Sequence, residues 1–438
     1  MNQTPMAKIA GRLSLRRLVI LLFVASYLLY AFSPQGKPLY PDLVQGAEVS
    51  HIAISLAQYG TFSDPFFSGP TGPTAHTPPA YVFLYALVAD LFGIGLTGVI
   101  VLSALNIGFL ALQLALLPVL SDRLGLGAAP GILAAVLGMT LQPYRVLLGW
   151  ESLFTGALLV VLCALTSGYF AKPGEWWRPL LLGLLWGLAI LTNPECVLLL
   201  FAWARIAAME NSPEMLERAR RAMAVVVVGA ALACLPWFIR NFEQFHSIFF
   251  VRDNFGLELY TSNNPCARPT ILQNILSGCH VLTHPNENPH ISAEIAREGE
   301  IRFNREMLHR ALAWIASNPR AFALLTARRF LRFWFPALGS LRYGIPMGIL
   351  TVLSFAGVAW MFREHRRAAL LLASTLIVYP LVHYVVQFEA RYRYPIFWAT
   401  LLPAAYAIVK FTRWVRKTGA ADASPAPEKP EEKEMLPA

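Results

Sequence analysis

Apolar runs of membrane-spanning length recur along this chain, and no other feature leaves it so few ways to fold. They cover residues 18–32, 96–120, 128–141, 152–170, 180–191, 197–208, 222–238, 345–362, 368–385 and 396–409. Hydrocarbon offers backbone N–H and C=O groups no partner, so a spanning segment must be a helix or part of a closed barrel. Continuous apolar runs, rather than two-residue alternation, select helices. Composition agrees: only 14% of residues are charged, against about a quarter in soluble domains. The expected fold is all-α and polytopic, with about ten transmembrane helices, a long first outer loop and an outer segment after the seventh span.

The net charge of +10 invites a nucleic-acid partner. The basic residues fall instead in short clusters between apolar runs, the pattern of loops held on the cytoplasmic side, so no nucleic acid is expected. No internal repeat of the transporter type is visible. Lys8, Arg12, Arg16 and Arg17 precede the first run, which puts the N-terminus in the cytoplasm, and no small-x-small cleavage site follows it. Two stretches are ambiguous: 80–92 reads as a span or a surface segment, and 180–208 as one span or two. Laying 80–92 on the surface and turning the chain at Asn193-Pro194-Glu195 places Arg123, Arg178, Arg205, Arg218 and Arg363 inside with both termini. The chain then divides into a cytoplasmic N-terminus (1–17), a membrane module (18–238) holding the first outer loop (33–95), an outer segment (239–344), C-terminal membrane helices (345–414) and a tail (415–438). The tail is polar and Pro-rich, and is expected to be disordered.

The unusual polar groups collect on the outer face. The first outer loop carries Asp42, Glu48 and His76; Tyr144, Arg145 and Glu151 border another turn; Arg240 follows a span; Glu389, Arg391 and Arg393 crowd a short loop. Ionisable groups at such a depth are expensive unless they line a polar cavity or do chemistry. Short outer loops are normally poor in arginine, so Arg145, Arg391 and Arg393 call for an anionic partner. In the outer segment, apolar spacing predicts a helix over 291–317 and a membrane-surface helix over 321–335 bearing Arg328, Arg329 and Arg332. Cys266 and Cys279 are close enough to pair in the oxidising outer compartment of a bacterium. His280, His284 and His290 lack zinc-ligand spacing and are separated by prolines.

Several stretches resemble a known family. GAEVSHIAISLAQYGTFSDPF, then TGPTAHTPPAYVFLYALVADLFG, resembles the first outer loop of GT-C membrane glycosyltransferases, notably bacterial relatives of protein O-mannosyltransferases and lipid A aminoarabinose transferases. LLGWESLFTGALL, GLLWGLAILTNPE, LPWFIRNFEQF with GLELYTSNNP, and RYRYPIFWATLLPA follow in that family's order. The resemblance implies a hexosyl- or pentosyltransferase that moves sugar from a polyprenyl-phosphate carrier to a lipid, polysaccharide or protein acceptor. It implies an outward-facing site in a bacterial cytoplasmic membrane, an acidic base in the first outer loop, and no cofactor beyond an optional divalent metal. The sequence departs from the pattern at two places: Gln45 falls near the family's Asp, with Glu48 following, and Asn193 replaces an expected basic phosphate ligand.

Transfer from a lipid phosphate needs a base for the acceptor hydroxyl and cations for the departing phosphate, a weak base that requires no general acid. Glu48 is the first candidate for the base and Asp42 the second; a solvated first-turn residue and a helix cap are their plain alternatives. Arg240, Arg391, Arg393 and Arg145 are candidate phosphate ligands, because a guanidinium binds phosphate through two parallel hydrogen bonds. Their plain alternative is an arginine snorkelling to the head groups. Tyr144, Glu151 and His76 are further candidate substrate contacts. Asn263 and Asn264 resemble the family's Asn-Asn-Pro element at the acceptor entrance, a sequence that also favours a turn. A single inverting displacement is expected. Two rival functions use the same residues: a transporter or flippase of a lipid-linked saccharide, and a catalytically inactive GT-C-like subunit.

Overall fold

The computed structural model describes residues 5–44, 47–171, 177–207, 209, 213–336 and 344–422. Among these, backbone pairing of the strand type is limited to two isolated bridges, Ser63–Pro73 and Thr270–Phe388, and helices make the fold. The N-terminal half contains α1 (Pro5–Ala31), α2 (Glu48–Tyr59), α3 (Pro79–Phe92), α4 (Leu96–Arg123), α5 (Ala128–Leu141), α6 (Ser152–Ala171), α7 (Trp177–Thr192), α8 (Cys196–Ala207) and α9 (Pro213–Phe245). The outer segment follows as α10 (Phe255–Ser262), α11 (Ile271–Leu276), α12 (Cys279–Thr283), α13 (Pro289–Glu298), α14 (Glu300–Ser317) and α15 (Pro319–Trp334). The chain closes with α16 (Gly344–Glu364), α17 (Arg366–Val378), α18 (Leu381–Val385) and α19 (Phe397–Asp422).

Each apolar run read from the sequence is helical over most of its length, and residues 368–385 are divided between α17 and α18 by a turn at Tyr379-Pro380. Six segments among the described residues are long and apolar enough to cross a membrane: Ser14–Ala31, Leu96–Arg123, Leu216–Phe245, Gly344–Glu364, Arg366–Val385 and Ala390–Arg416. Helices α5 to α8 are apolar but shorter along their described residues. Helix α19 runs on to Asp422, past the expected boundary at residue 414; residues 423–438 of the expected tail lie outside the described ones.

Small residues let the helices touch. A Cβ at Gly183 of α7 would stand 2.3 Å from the Val226 carbonyl oxygen of α9, and one at Gly187 would stand 2.4 Å from Ala233 Cβ. Between lipid-soluble helices such close backbone approach replaces the hydrophobic drive that water would supply. Gly183→Leu is therefore expected to pry α7 from α9 and cost about 1–3 kcal/mol of overpacking, seen as a lower melting temperature in detergent.

Local signals set the first outer loop. Helix α2 starts with an acidic residue, which suits a helix N-terminus, and stops at Gly60 in the left-handed region (φ 69°). Helix α3 opens with Pro79 in its first turn, where a missing N–H costs nothing. Tyr81 of α3 donates to the Leu148 carbonyl (2.8 Å) and accepts from Asn106 Nδ2 of α4 (2.8 Å), pinning the turn that carries Trp150 and Glu151.

The outer segment differs from expectation at two points. The helix expected over 291–317 is broken into α13 and α14 by Gly299, whose φ of 85° no helix accommodates. The break redirects Glu300 so that its carboxylate accepts from Ala75 N–H (2.7 Å) and the Thr74 hydroxyl, fastening the first loop to α14. Helix α15 matches the amphipathic stretch, but Arg329 does not face a membrane surface. It is fully buried and donates to Asn263 Oδ1 (3.1 Å), the Val385 carbonyl (2.9 Å) and the Ser262 carbonyl. Cys266 and Cys279 form a disulfide across α11.

Candidate active site

The first outer loop, the α7–α8 turn, the outer segment and the stretch 379–395 enclose a cavity of about 720 Å³. Each contributes through an identifiable local device. Glu48 enters as the first residue of α2, Glu195 from the Asn193-Pro194-Glu195 turn, Arg252 from the extended link before α10, and Arg391 from the 3-10 turn Ala390–Ile396. The Thr270–Phe388 bridge ties the outer segment to this last turn: Ile271 N–H reaches the Phe388 carbonyl (3.2 Å) and Phe388 N–H the Pro269 carbonyl (2.8 Å).

Glu48 is 7% exposed and held by two groups from one loop. Asn286 Nδ2 donates to Glu48 Oε1 at 2.6 Å, and His284 Nε2 lies 3.9 Å from the same oxygen. His284 Nδ1 accepts from Asn286 N–H (3.2 Å), so the ring's other nitrogen, carrying the proton, faces the carboxylate. Burial pushes the Glu48 carboxyl up to about 7; Glu258 adds to this, while Arg391 and the Asn286 hydrogen bond restrain it. Burial and the neighbouring His280 and His76 hold His284 well below the usual histidine range. The site thus pairs a neutral imidazole with a carboxyl poised near neutrality, the condition a general base requires.

Two guanidinium groups line the same cavity. Arg391 pairs with Glu389 and lies over the Trp150 ring, 3.2 Å from its centroid. Arg252 was not singled out by the sequence. Among the described residues its guanidinium makes no hydrogen bond or ion pair, although it acts electrostatically on Glu195, Glu258 and His76. A basic residue in the link between a span and the following short helix was the available signal. Glu151, Glu195 and Glu258 also line the cavity, with His383 Nε2 2.9 Å from Glu195 Oε2. Burial raises the Glu258 carboxyl.

Of the other predicted residues, His76 and Glu151 reach the cavity. His76 packs edge-on to Phe66, with ring centroids 5.0 Å apart, and burial together with Arg252 pulls it down to about 3. Arg240 lies outside the lining: it donates to the Thr74 (2.8 Å) and Phe62 (3.1 Å) carbonyls and packs on the Phe62 and Trp237 rings. Arg393 likewise serves the protein, donating to the Trp334 carbonyl (3.1 Å) and Thr351 Oγ1 (2.8 Å). Asn263 and Asn264 turn inward to backbone carbonyls of α10 and Val385 rather than to an entrance. Tyr144 is packed against Tyr394 and Phe397, Arg145 is half-buried away from the cavity, and Asp42 accepts from Val44 N–H (2.9 Å) in a turn. Asn193, where a basic ligand was expected, donates to the Tyr379 hydroxyl (3.0 Å).

His280 and His284 stack in parallel with centroids 4.5 Å apart, and His290 is exposed. No group of three His, Cys, Asp or Glu among the described residues is placed to hold a metal ion.

No protein-family model and no curated protein matches the chain. Solved structures do match. The apo oligosaccharyltransferase of Archaeoglobus fulgidus superposes with a TM-score of 0.56 at 15% identity, covering 95% of this chain and 52% of that one. The same organism's oligosaccharyltransferase AglB, in complex with an inhibitory peptide and a dolichol-phosphate, gives 0.53 at 16% identity, covering 94% and 52%. ArnT from Cupriavidus metallidurans, bound to undecaprenyl phosphate, gives 0.41 at 13% identity, covering 94% and 81%. The chain spans about half the length of the oligosaccharyltransferases it matches. Over the aligned length the fold is therefore the all-helical one of these oligosaccharyltransferases.

Proposed function

We propose that this protein is a membrane glycosyltransferase that moves a sugar from a polyprenyl-phosphate carrier to an acceptor hydroxyl at the outer face of a bacterial cytoplasmic membrane. The observation that carries the reading is the placement of Glu48, a buried carboxyl raised to about 7, in one cavity with Arg391 and Arg252. Ionised Glu48 takes the acceptor hydroxyl proton as the oxygen attacks the anomeric carbon. The bond from that carbon to the carrier phosphate breaks, with inversion, and the electron pair leaves with the phosphate. Arg391 and Arg252 hold the charge that develops there. Arg391 stays fixed by Glu389 and Trp150, whereas Arg252 has donors to spare. Glu151, Glu195 and Glu258 offer acceptors to sugar hydroxyls. Arg240 and Arg393 act as braces of the site's walls in this scheme, and Glu48 rather than Asp42 is the base.

The test is transfer of labelled sugar by the purified full chain, supplied with a panel of polyprenyl-phosphate sugars and membrane-extract acceptors. Labelled product is expected with at least one donor. Arg252→Ala is expected to raise the donor KM by about 10–100-fold, the value of one or two hydrogen bonds to a charged group. Saturable binding of the lipid phosphate with no product from any donor would overturn the enzyme reading in favour of a carrier or flippase.

A further inference from the structure

Helix α11 is a wall with two different sides. Ile271 and Ile275 face the cavity that holds Glu48, whereas Gln273 and Leu276 face a separate groove of about 990 Å³ against α15. The groove is lined by Arg268, Arg328 and Arg332, and no acidic residue lines it. Among the described residues none of these three guanidinium groups hydrogen-bonds or pairs with another side chain, unlike Arg329 next to Arg328, which donates to three oxygens of the protein. The rest of the lining is mainly apolar: Leu276 is 78% and Leu331 55% exposed, with Phe335 beside them.

We infer that this groove binds the phosphate head group of an anionic membrane lipid, with its acyl chains over Leu276, Leu331 and Phe335. Charge complementarity names the head group: three arginines without a counter-ion suit a phosphate, which each can meet with paired donors. The exposed leucines name the rest of the molecule, since a free phosphate has no use for them. Leu272 of α11, Leu282 of α12 and Leu324 of α15 are exposed as well, apolar surface that membrane lipid would cover. Position separates this site from the reaction, because α11 stands between groove and cavity. The inference therefore holds or fails independently of sugar transfer.

Native mass spectrometry of the full chain in detergent, titrated with phosphatidylglycerol or phosphatidylcholine, tests it. The wild type retains phosphatidylglycerol in preference to phosphatidylcholine. The triple variant Arg268→Gln/Arg328→Gln/Arg332→Gln loses that adduct by at least about tenfold, the factor a single charge-assisted hydrogen bond is worth. Should the triple variant fail to fold, the exposed single change Arg332→Gln is read in its place and lowers occupancy in the same sense. Equal retention of both lipids by the wild type, wild-type retention by a folded variant, or complete displacement of phosphatidylglycerol by millimolar inorganic phosphate would each overturn the proposal.

Discussion

Glu48→Gln is expected to reduce kcat by about 10²–10⁴-fold, the range that general-base catalysis spans, with lipid-phosphate binding and fold retained. The amide keeps the shape and can still meet Asn286, so lost activity would report the lost proton acceptor. The pH profile supplies a second reading. A base works ionised, so wild-type kcat rises with pH through about 7 and then levels, because burial holds Glu48 there. Asn286 donates to the carboxylate and so favours its ionised form. Asn286→Leu is accordingly expected to move the rising limb to higher pH while sparing much of the plateau. A flat profile across pH 6 to 8, or a glutamine variant of wild-type activity, would remove Glu48 from the mechanism.

The same shift has a consequence of opposite sign for stability. A carboxyl raised in the native state binds its proton more tightly there than in the unfolded chain. Its contribution is full below the ordinary value of 4.5 and is lost as pH rises through about 7 for Glu48 and about 8 for Glu300. Thermal scans should find the protein less stable at the pH where Glu48 is ionised. Site and stability pull apart here, as functional sites commonly require.

The second large effect is structural. Arg329→Ala is expected to lower stability by on the order of 3 kcal/mol and to loosen the outer segment. The oxygens of Asn263 and Ser262 lose this donor in a buried place, and the Val385 carbonyl keeps only Asn263 Nδ2. Part of the gain is offset because burial is already unfavourable for the guanidinium and pulls it down to about 10. The checks are thermal unfolding in detergent and donor KM measured on the folded fraction. A fall in melting temperature with an unchanged KM fits a brace between α15, α10 and α18. An unchanged melting temperature with a raised KM would instead make Arg329 a ligand of the donor.

Arg329 also illustrates what a one-dimensional reading misses. Its neighbours Arg328 and Arg332 are exposed, and periodicity places all three on a polar helix face. Only the arrival of Asn263 and Val385 from distant parts of the chain makes one of them a buried anchor. Arg240 and Arg393 are similar cases. A span-end arginine reads the same whether it faces a phosphate or backbone carbonyls, because the choice depends on which backbone lies within hydrogen-bond distance. Glu48 was legible because it follows a recognisable loop pattern, yet its partners Asn286 and His284 lie more than two hundred positions away.

By itself the sequence determined that this chain is a bundle of apolar, membrane-type helices. Lipid tolerates few backbone conformations, and the lengths and flanking charges of apolar runs are local properties. The positions of helix starts at Glu48 and Pro79 were likewise written locally, as was the proximity of Cys266 to Cys279. Tertiary structure decided which charges serve the protein and which remain for a ligand. It broke the outer helix at Gly299, buried Arg329, and left Arg252 in the cavity that Arg391 also lines. Pairing of a charge is a contact between segments remote in the chain, and its energy depends on distance and burial, which no stretch of sequence carries alone.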